Sequence, residues 1–153
     1  MTIDEKLHEF LDGVEGDTFR EQCESMCGAL REWSPNYDWV GFYWLKSDHL
    51  QLGAWSGEQA TEHTRIPISE GICGAAIRES KTVIVDDVQK DERYLACFLS
   101  TRSEIVVPIF DKKNRMIGEI DIDSKQVSAF TDDDRMFLEA LAKHVGGMKS
   151  GKA

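Results

Sequence analysis

Apolar residues recur every three or four positions near both ends of the chain, which is the spacing of one helix face. Near the N-terminus this pattern covers residues 3–14 and 18–33, which we predict to be amphipathic helices. Near the C-terminus it starts after Thr131, a good helix N-cap, and three aspartates follow where the helix dipole favours negative charge. Gly146 and Gly147 are expected to stop this helix. Its predicted apolar face consists of Phe137, Leu138, Leu141 and Val145.

Between these helices, short runs of β-branched, aromatic and alternating residues predict a β-sheet. A helix of small residues is predicted over 69–80, with Ser69 and Glu70 near its start as capping residues, and a long connection over 89–103. Since most strands are joined as hairpins, the fold class is α+β, a central antiparallel sheet of five or six strands. The terminal helices are expected on one face and a ligand pocket under loops on the other. The expected strands are residues 38–45, 49–55, 64–68, 82–88, 104–110 and 116–123.

Length and composition are those of one globular domain over residues 1–153, with 41% hydrophobic and 30% charged residues. The formal charge of −10 disfavours binding to nucleic acid or to anionic membranes. The longest apolar runs fall far short of the roughly 20 residues that a membrane span needs. The acidic N-terminus does not resemble a signal peptide. We therefore expect a cytoplasmic protein.

The four cysteines are Cys23, Cys27, Cys73 and Cys97. They contain no CxxC pair, so a zinc site is not expected, and a reducing compartment argues against a disulfide framework. Cys23 and Cys27 lie one turn apart on the second predicted helix, where a packing role is expected. Cys73 begins the small-residue helix, whose dipole could lower the thiol pKa, and Cys97 lies in a polar connection. The residues alone leave packing and redox roles open for both.

The last predicted strand, 116–123, carries acidic side chains on one face. Strand alternation directs Glu119, Asp121 and Asp123 to the same side. One interpretation is a solvated face of the sheet. The other is a site where a cation or a shared proton relieves the repulsion and raises at least one carboxyl pKa. Glu104, at the start of the preceding strand, could join this group.

Aromatic residues form a second pattern in the first predicted strand. Trp39 and Tyr43 are four positions apart and face the same side of the strand. Core packing explains them without any function. An aromatic wall near buried acids would also hold a methyl group or a small organic cation.

Five motifs in this order and spacing resemble the free methionine-(R)-sulfoxide reductases, single-domain enzymes of the GAF fold. The motifs are DWVGFY, RIPISEGICGAA, YLAC, SEIVVPI and GEIDIDS, and the resemblance extends over about residues 20–145. It implies reduction of the R epimer of free L-methionine S-oxide without a metal or organic cofactor.

The resemblance also assigns roles to individual residues. It makes Cys97 of YLAC the catalytic thiol and Cys73 of GICG a second redox cysteine. Many family members have their resolving cysteine two residues before the arginine of RIP, where this chain has His63. The chain thus resembles a variant class with only the Cys73 and Cys97 pair. The implied substrate-binding residues are Trp39, Tyr43, Glu104, Asp121 and Asp123.

The chemistry expected of these residues is thiol-dependent reduction. Cys97 attacks the sulfoxide sulfur, a carboxyl group protonates the oxygen, and the resulting sulfenic acid condenses with Cys73. A thioredoxin-like dithiol would then reduce the disulfide. The expected partners are free methionine sulfoxide, the thioredoxin-like protein and a second copy of the chain, since the terminal helices suggest a homodimer.

Two other classes of function remain open at this stage. A non-catalytic GAF sensor would bind a small ligand and signal through the terminal helices. A metal-binding or purely structural domain has the least support, because three carboxylates without regular spacing are a weak metal signal.

Overall fold

The computed structural model of the protein describes residues 1–95 and 100–150. Cys97 therefore lies outside the described residues. No helix within these ranges combines the length and apolar character needed to cross a membrane. The helices are α1 (Ile3–Asp12), α2 (Phe19–Trp33), α3 (Gly71–Glu79) and α4 (Asp132–Ser150), with a short 3₁₀ turn at Val88–Lys90. The strands are β1 (Trp39–Lys46), β2 (His49–Gly57), β3 (Arg65–Pro67), β4 (Val83–Val85), β5 (Ser103–Phe110) and β6 (Met116–Ser124).

The six strands form one antiparallel sheet in the order β3-β2-β1-β6-β5-β4. The first and last strands of the chain are thus neighbours at the centre of the sheet. This confirms the predicted α+β fold with an antiparallel sheet. It also places the acidic strand β6 between two long strands, β1 and β5, instead of at an edge.

One face of the sheet is covered by the terminal helices, as predicted. Alternate residues of β1, β5 and β6 pack there against α1, α2 and α4. Cys23 and Cys27 are buried in this layer, which confirms the packing environment expected for them. The predicted apolar face of the last helix is buried as well, namely Phe137, Leu138, Leu141 and Val145.

In three of the four described helices, the side chain of the N-cap residue accepts a hydrogen bond from a backbone N–H of the first turn. Thr2 and Thr18 form complete capping boxes with Glu5 and Glu21. The Thr131 hydroxyl accepts a hydrogen bond from the Asp134 N–H at 3.3 Å, so the predicted cap is confirmed. The exception is α3, because the side chain of its N-cap residue Glu70 makes no capping hydrogen bond.

The predicted stop at Gly146 and Gly147 is wrong, because α4 continues through both glycines to Ser150. A side chain at Gly146 would overlap the carbonyl oxygen of Phe110 at the end of β5. Gly146 therefore lets the last turns of α4 lie directly on the sheet, and this close approach explains the glycine inside a helix.

The strand predicted over 82–88 is shorter than expected and ends at Val85. The Asp87 side chain accepts a hydrogen bond from the Gln89 N–H at 3.1 Å and opens the 3₁₀ turn. A side chain that bonds its own backbone two residues ahead favours a turn over a continuing strand.

Gly146→Ala should lower the free energy of unfolding by about 1–3 kcal/mol, because the added methyl group must displace β5 or α4. Gly28→Ala is the matched control, since nothing lies within 4 Å of the position where its methyl group would be added in α2. That change should raise stability by about 0.5–1 kcal/mol. Urea unfolding followed by far-UV circular dichroism measures both. Equal effects of the two substitutions would contradict the close contact at Gly146.

Candidate functional site

Four acidic side chains lie together on the face of the sheet opposite the terminal helices. We call Glu104, Glu119, Asp121 and Asp123 the acid cluster. Asp123 of β6 is directly opposite Glu104 of β5, and Asp121 and Glu119 follow on the same side of β6. None of the four is more than 4% exposed. The hypothesis of a solvated acidic face is therefore wrong, because α3 and the connecting loops cover it.

Helix α3 brings a thiol into this cluster. Cys73 lies in its first turn and is only 5% exposed. The Cys73 Sγ, a Glu104 carboxylate oxygen and an Asp121 carboxylate oxygen all lie within 4.8 Å of one another. Gly71 begins the helix at a φ of 72°, and a side chain at Gly74 would come within 2.6 Å of the Ile68 carbonyl oxygen. The two glycines therefore permit the tight turn and close packing that place Cys73 over the sheet.

The electrostatics of the acid cluster favour protonated carboxyl groups. Burial raises the pKa of Glu119, Asp121 and Asp123, and the charge of Asp121 raises the pKa of the other two further. Hydrogen bonding from the Glu104 side chain acts in the opposite direction on Asp121 and Asp123. Within residues 1–95 and 100–150, no lysine or arginine forms an ion pair with Glu119, Asp121 or Asp123.

Several carboxylate oxygens of the acid cluster have no hydrogen-bond partner of good geometry in the described part of the chain. They are both oxygens of Glu119 and one oxygen each of Asp121 and Asp123. Interaction with the nearby Cys73 thiol lowers the pKa of Glu119, against the larger effect of burial. Buried polar atoms of this kind are rare in folded proteins and call for an explanation by ligand, proton or function.

The pKa of Cys73 is raised, contrary to the expectation from its position at a helix N-terminus. Burial is the largest cause, followed by the charges of Asp121, Glu119 and Glu104. A helix dipole contributes about half a unit charge, whereas three acidic groups surround this thiol. The sequence placed Cys73 correctly in a helix but could not show that the helix starts above buried acids.

The two predicted aromatic residues lie at opposite ends of the acid cluster. Trp39 pairs with Asp123, and its indole covers Gly41 and Gly57 and stacks on Trp55 at 6.2 Å between ring centroids. A side chain at either glycine would overlap the indole. This cradle fixes the tryptophan beside the acidic end of β6.

Tyr43 is fully buried and pairs with Glu119 in the sheet. Its hydroxyl donates a hydrogen bond of 2.7 Å to the carbonyl oxygen of His63. The segment that carries His63 is therefore held over the same face of the sheet.

Two small cavities adjoin the acid cluster. One, of about 30 Å³, is lined by Trp39, Asp123 and the segment that includes Ser100. The other, of about 10 Å³, is lined by Cys73, Glu104 and Leu95, among others. Leu95 and Ser100 are the described residues on either side of the segment that contains Cys97. Both of these flanking residues thus line cavities beside the acid cluster.

The largest cavity described here, about 790 Å³, contains none of the predicted site residues. It is open to solvent between Lys81, the β5–β6 hairpin and α4. The acidic Glu139 in it is already paired with Arg135 at 2.8 Å and with Thr82 at 2.6 Å. Size alone therefore does not identify the chemically unusual site of this protein.

The resemblance assigned no substrate-binding role to Glu119, although strand alternation included it in the acidic row. Glu119 shares the face of Asp121 and Asp123, and strand alternation alone placed it there. It is fully buried in the acid cluster next to Cys73. The signal was present in the alternation, but the spacing could not distinguish a buried acid from an exposed one.

Comparison with known proteins places this geometry in a family. The model of the GAF domain family matches residues 17–148. The structure of a type II free methionine-R-sulfoxide reductase from Thermoplasma acidophilum is 41% identical, with a TM-score of 0.80 over 92% of both chains. This chain belongs to the GAF domain family, among its free methionine-R-sulfoxide reductases.

Two further reductases agree with this family membership. The X-ray structure of the reductase from Neisseria meningitidis, in complex with its substrate, is 35% identical with a TM-score of 0.83. The similarity covers 94% of this chain and 86% of that one. The Escherichia coli reductase is 38% identical over 112 residues, which are 73% of this chain. This chain spans 66% of the length of the Escherichia coli protein. The predicted GAF fold and family of oxidoreductases are thereby confirmed.

Glu119→Gln should make stability less dependent on pH. Burial raises the pKa of Glu119 in the folded state above its value in the unfolded chain. As the pH rises, Glu119 therefore ionises first in the unfolded chain, and the free energy of unfolding falls until the pH passes the folded-state pKa. An amide removes that loss, and urea midpoints between about pH 5 and pH 8 should fall less steeply than in the unchanged protein. Glu9→Gln, on the exposed surface of α1, is the control. Identical slopes in all three proteins would contradict the raised pKa.

Proposed function

We propose that the protein reduces free L-methionine (R)-S-oxide to L-methionine by thiol chemistry at the acid cluster. The observation that carries the proposal is the burial of carboxyl groups beside a thiol, with no lysine or arginine of the described residues ion-paired to Glu119, Asp121 or Asp123. Membership of the reductase family supports the same chemistry.

Substrate recognition rests on the charge of the acid cluster. Buried carboxylates are unfavourable unless a positive charge compensates them. The ammonium group of a free amino acid supplies that charge, whereas a methionine sulfoxide within a peptide has no such group. Glu104, Asp121 and Asp123 would bind the ammonium and sulfoxide groups, which explains a preference for the isolated amino acid.

The aromatic residues limit the shape of the bound substrate. Trp39 lines the cavity at Asp123, and the buried Tyr43 lies at the other end of the cluster. We assign both to the wall around the substrate methyl group. The described cavities of about 30 and 10 Å³ are smaller than an amino acid, so side chains must move when the substrate enters.

In the first chemical step the Cys97 thiolate attacks the sulfoxide sulfur. This attack forms a sulfur–sulfur bond while a protonated carboxyl group of the acid cluster donates its proton to the sulfoxide oxygen. The hydroxyl group then moves from the substrate sulfur to the Cys97 sulfur, the sulfur–oxygen and sulfur–sulfur bonds of the substrate break, and methionine leaves. The oxygen ends on Cys97 as a sulfenic acid, so the thiol is oxidised by two electrons and the sulfoxide is reduced by two. The raised pKa of Asp121 and Asp123 keeps a proton available for this step.

The second step regenerates the thiol. The Cys73 sulfur attacks the Cys97 sulfenic acid, a disulfide forms, and water leaves. An external thioredoxin-like dithiol then reduces the disulfide by exchange. Cys73 takes the resolving role because position 63, which carries the resolving cysteine in many reductases, is a histidine.

A homodimer through the terminal helices is part of the same proposal. Trp33 at the end of α2 and Met136 on α4 are 39% and 42% exposed, so the helical face presents large apolar side chains to solvent. Their position on the helical face leaves the acid cluster on the opposite side free for substrate.

Cys97→Ser should abolish methionine formation, because serine does not supply the attacking thiolate. Cys73→Ser should release one equivalent of methionine per chain and then recycle slowly with thioredoxin. Rapid-quench measurement of methionine at substoichiometric reductant separates the two variants. Cys27→Ser, in the core under the terminal helices, is the control for general thiol loss.

Full turnover by Cys97→Ser would refute the proposed nucleophile. Normal recycling by Cys73→Ser would assign resolution to another thiol or to direct attack by thioredoxin. In a coupled assay with thioredoxin and NADPH, substrate binding without turnover in the unchanged protein would favour a GAF sensor instead.

Asp123→Asn should reduce kcat/KM for methionine sulfoxide by about 10- to 1,000-fold, because it removes a charge-assisted contact made in the transition state. Asp12→Asn, exposed at the end of α1, is the control and should leave the rate unchanged. Steady-state kinetics with the separated R epimer measures both. An Asp123→Asn enzyme of full activity would exclude this carboxylate from substrate binding.

A further inference from the structure

Cys73 lies among the carboxyl groups of the acid cluster, and this arrangement has a second chemical use. The thiol comes from α3, Glu104 from β5 and Asp121 from β6, yet one donor atom of each lies within 4.8 Å of the other two. All three residues are buried. The sequence offered no regular ligand spacing because the three donors come from three separate elements.

The donor set matches one class of metal ion. From zinc–sulfur and zinc–oxygen bond lengths, two donors on one tetrahedral zinc ion are about 3.3 to 3.5 Å apart. The three donor atoms need to approach one another by about 1.5 Å at most to reach that arrangement. A thiolate with two carboxylates favours zinc and similar thiophilic ions over magnesium or calcium, which prefer oxygen ligands alone.

The surroundings of the three donors also favour a cation. One oxygen of Asp121 and both oxygens of the neighbouring Glu119 are buried without a hydrogen-bond partner of good geometry in the described part of the chain. The cavity that adjoins Cys73 and Glu104 has a volume of about 10 Å³, which is room for one atom of the size of a water molecule or a metal ion. An ammonium group satisfies carboxylates equally well, but a thiol is a poor partner for it and a strong ligand for zinc.

We propose that Cys73, Glu104 and Asp121 bind a single thiophilic divalent cation such as Zn²⁺. Binding releases the thiol proton and leaves the fourth tetrahedral position for water or another donor. If the proposed reductase function holds, the bound ion occupies the acids that receive the substrate and the thiol that resolves the sulfenic acid. The cation is then a reversible inhibitor of the enzyme, competitive with methionine sulfoxide.

Cobalt titration tests the site without any reference to activity. The reduced Cys97→Ser variant, inactive under the proposed mechanism, is titrated anaerobically with Co²⁺. We expect a thiolate-to-cobalt charge-transfer band and the visible bands of a four-coordinate ion, saturating at one ion per chain and lost when Zn²⁺ is added. Asp121→Asn in the same background should keep the band but weaken binding by about 10- to 100-fold. Asp12→Asn is the matched control.

Three results would overturn the proposal. They are the absence of a charge-transfer band, a band that persists when Cys73→Ser is added to the Cys97→Ser background because Cys23 or Cys27 binds the ion, and equal affinity of Asp121→Asn and Asp12→Asn in that background. If Cys73→Ser does not fold, Zn²⁺ must instead slow alkylation of Cys73 in the unchanged protein, as read by peptide mass mapping. Turnover of methionine sulfoxide in the presence of a metal chelator tests the reductase function separately. Either proposal can therefore be refuted while the other stands.

Discussion

The burial of carboxyl groups at the centre of a β-sheet is an unusual free-energy cost in this fold. Glu119, Asp121 and Asp123 are removed from water without an ion-paired lysine or arginine among the described residues. A buried polar group without a partner costs about 1–3 kcal/mol. Such groups are retained where a ligand or a proton satisfies their hydrogen-bonding capacity. The protein then has a lower free energy of unfolding because function requires the buried groups. The position of the site follows from this constraint.

One face of the sheet forms the apolar core that stabilises the fold, and the other face carries the candidate site. The face under α1, α2 and α4 is a continuous apolar core, in which alternate residues of the central strands are fully buried. That core offsets the cost of the other face. On the other face α3 is short and rich in small residues, so its backbone and Cys73 lie close to the strands. The same β6 strand serves both purposes, because its isoleucines face the core and its acids face the site.

Much of this arrangement could be predicted from the sequence. The periodicity of apolar residues predicted the helices and the succession of strands along the chain. The alternation of side chains along the last strand placed Glu119, Asp121 and Asp123 on one side. Two predictions failed for reasons that local sequence does not contain. Gly146 did not end α4, because a neighbouring strand requires a residue without a side chain there. The pKa of Cys73 is raised instead of lowered, because acids from distant positions surround it.

The sequence by itself determined the element types, the hydrophobic face of each element and the chemical identity of the functional groups. These are local properties, since they depend on the period of the apolar residues and on the side chains present. Only the tertiary structure decided that the acidic face is buried, that Glu104 lies opposite Asp123, and that Cys73 of α3 lies among them. Those features depend on which strands become neighbours and on what covers them. No local pattern carries that information, because burial and pKa are set by contacts between residues far apart in the chain.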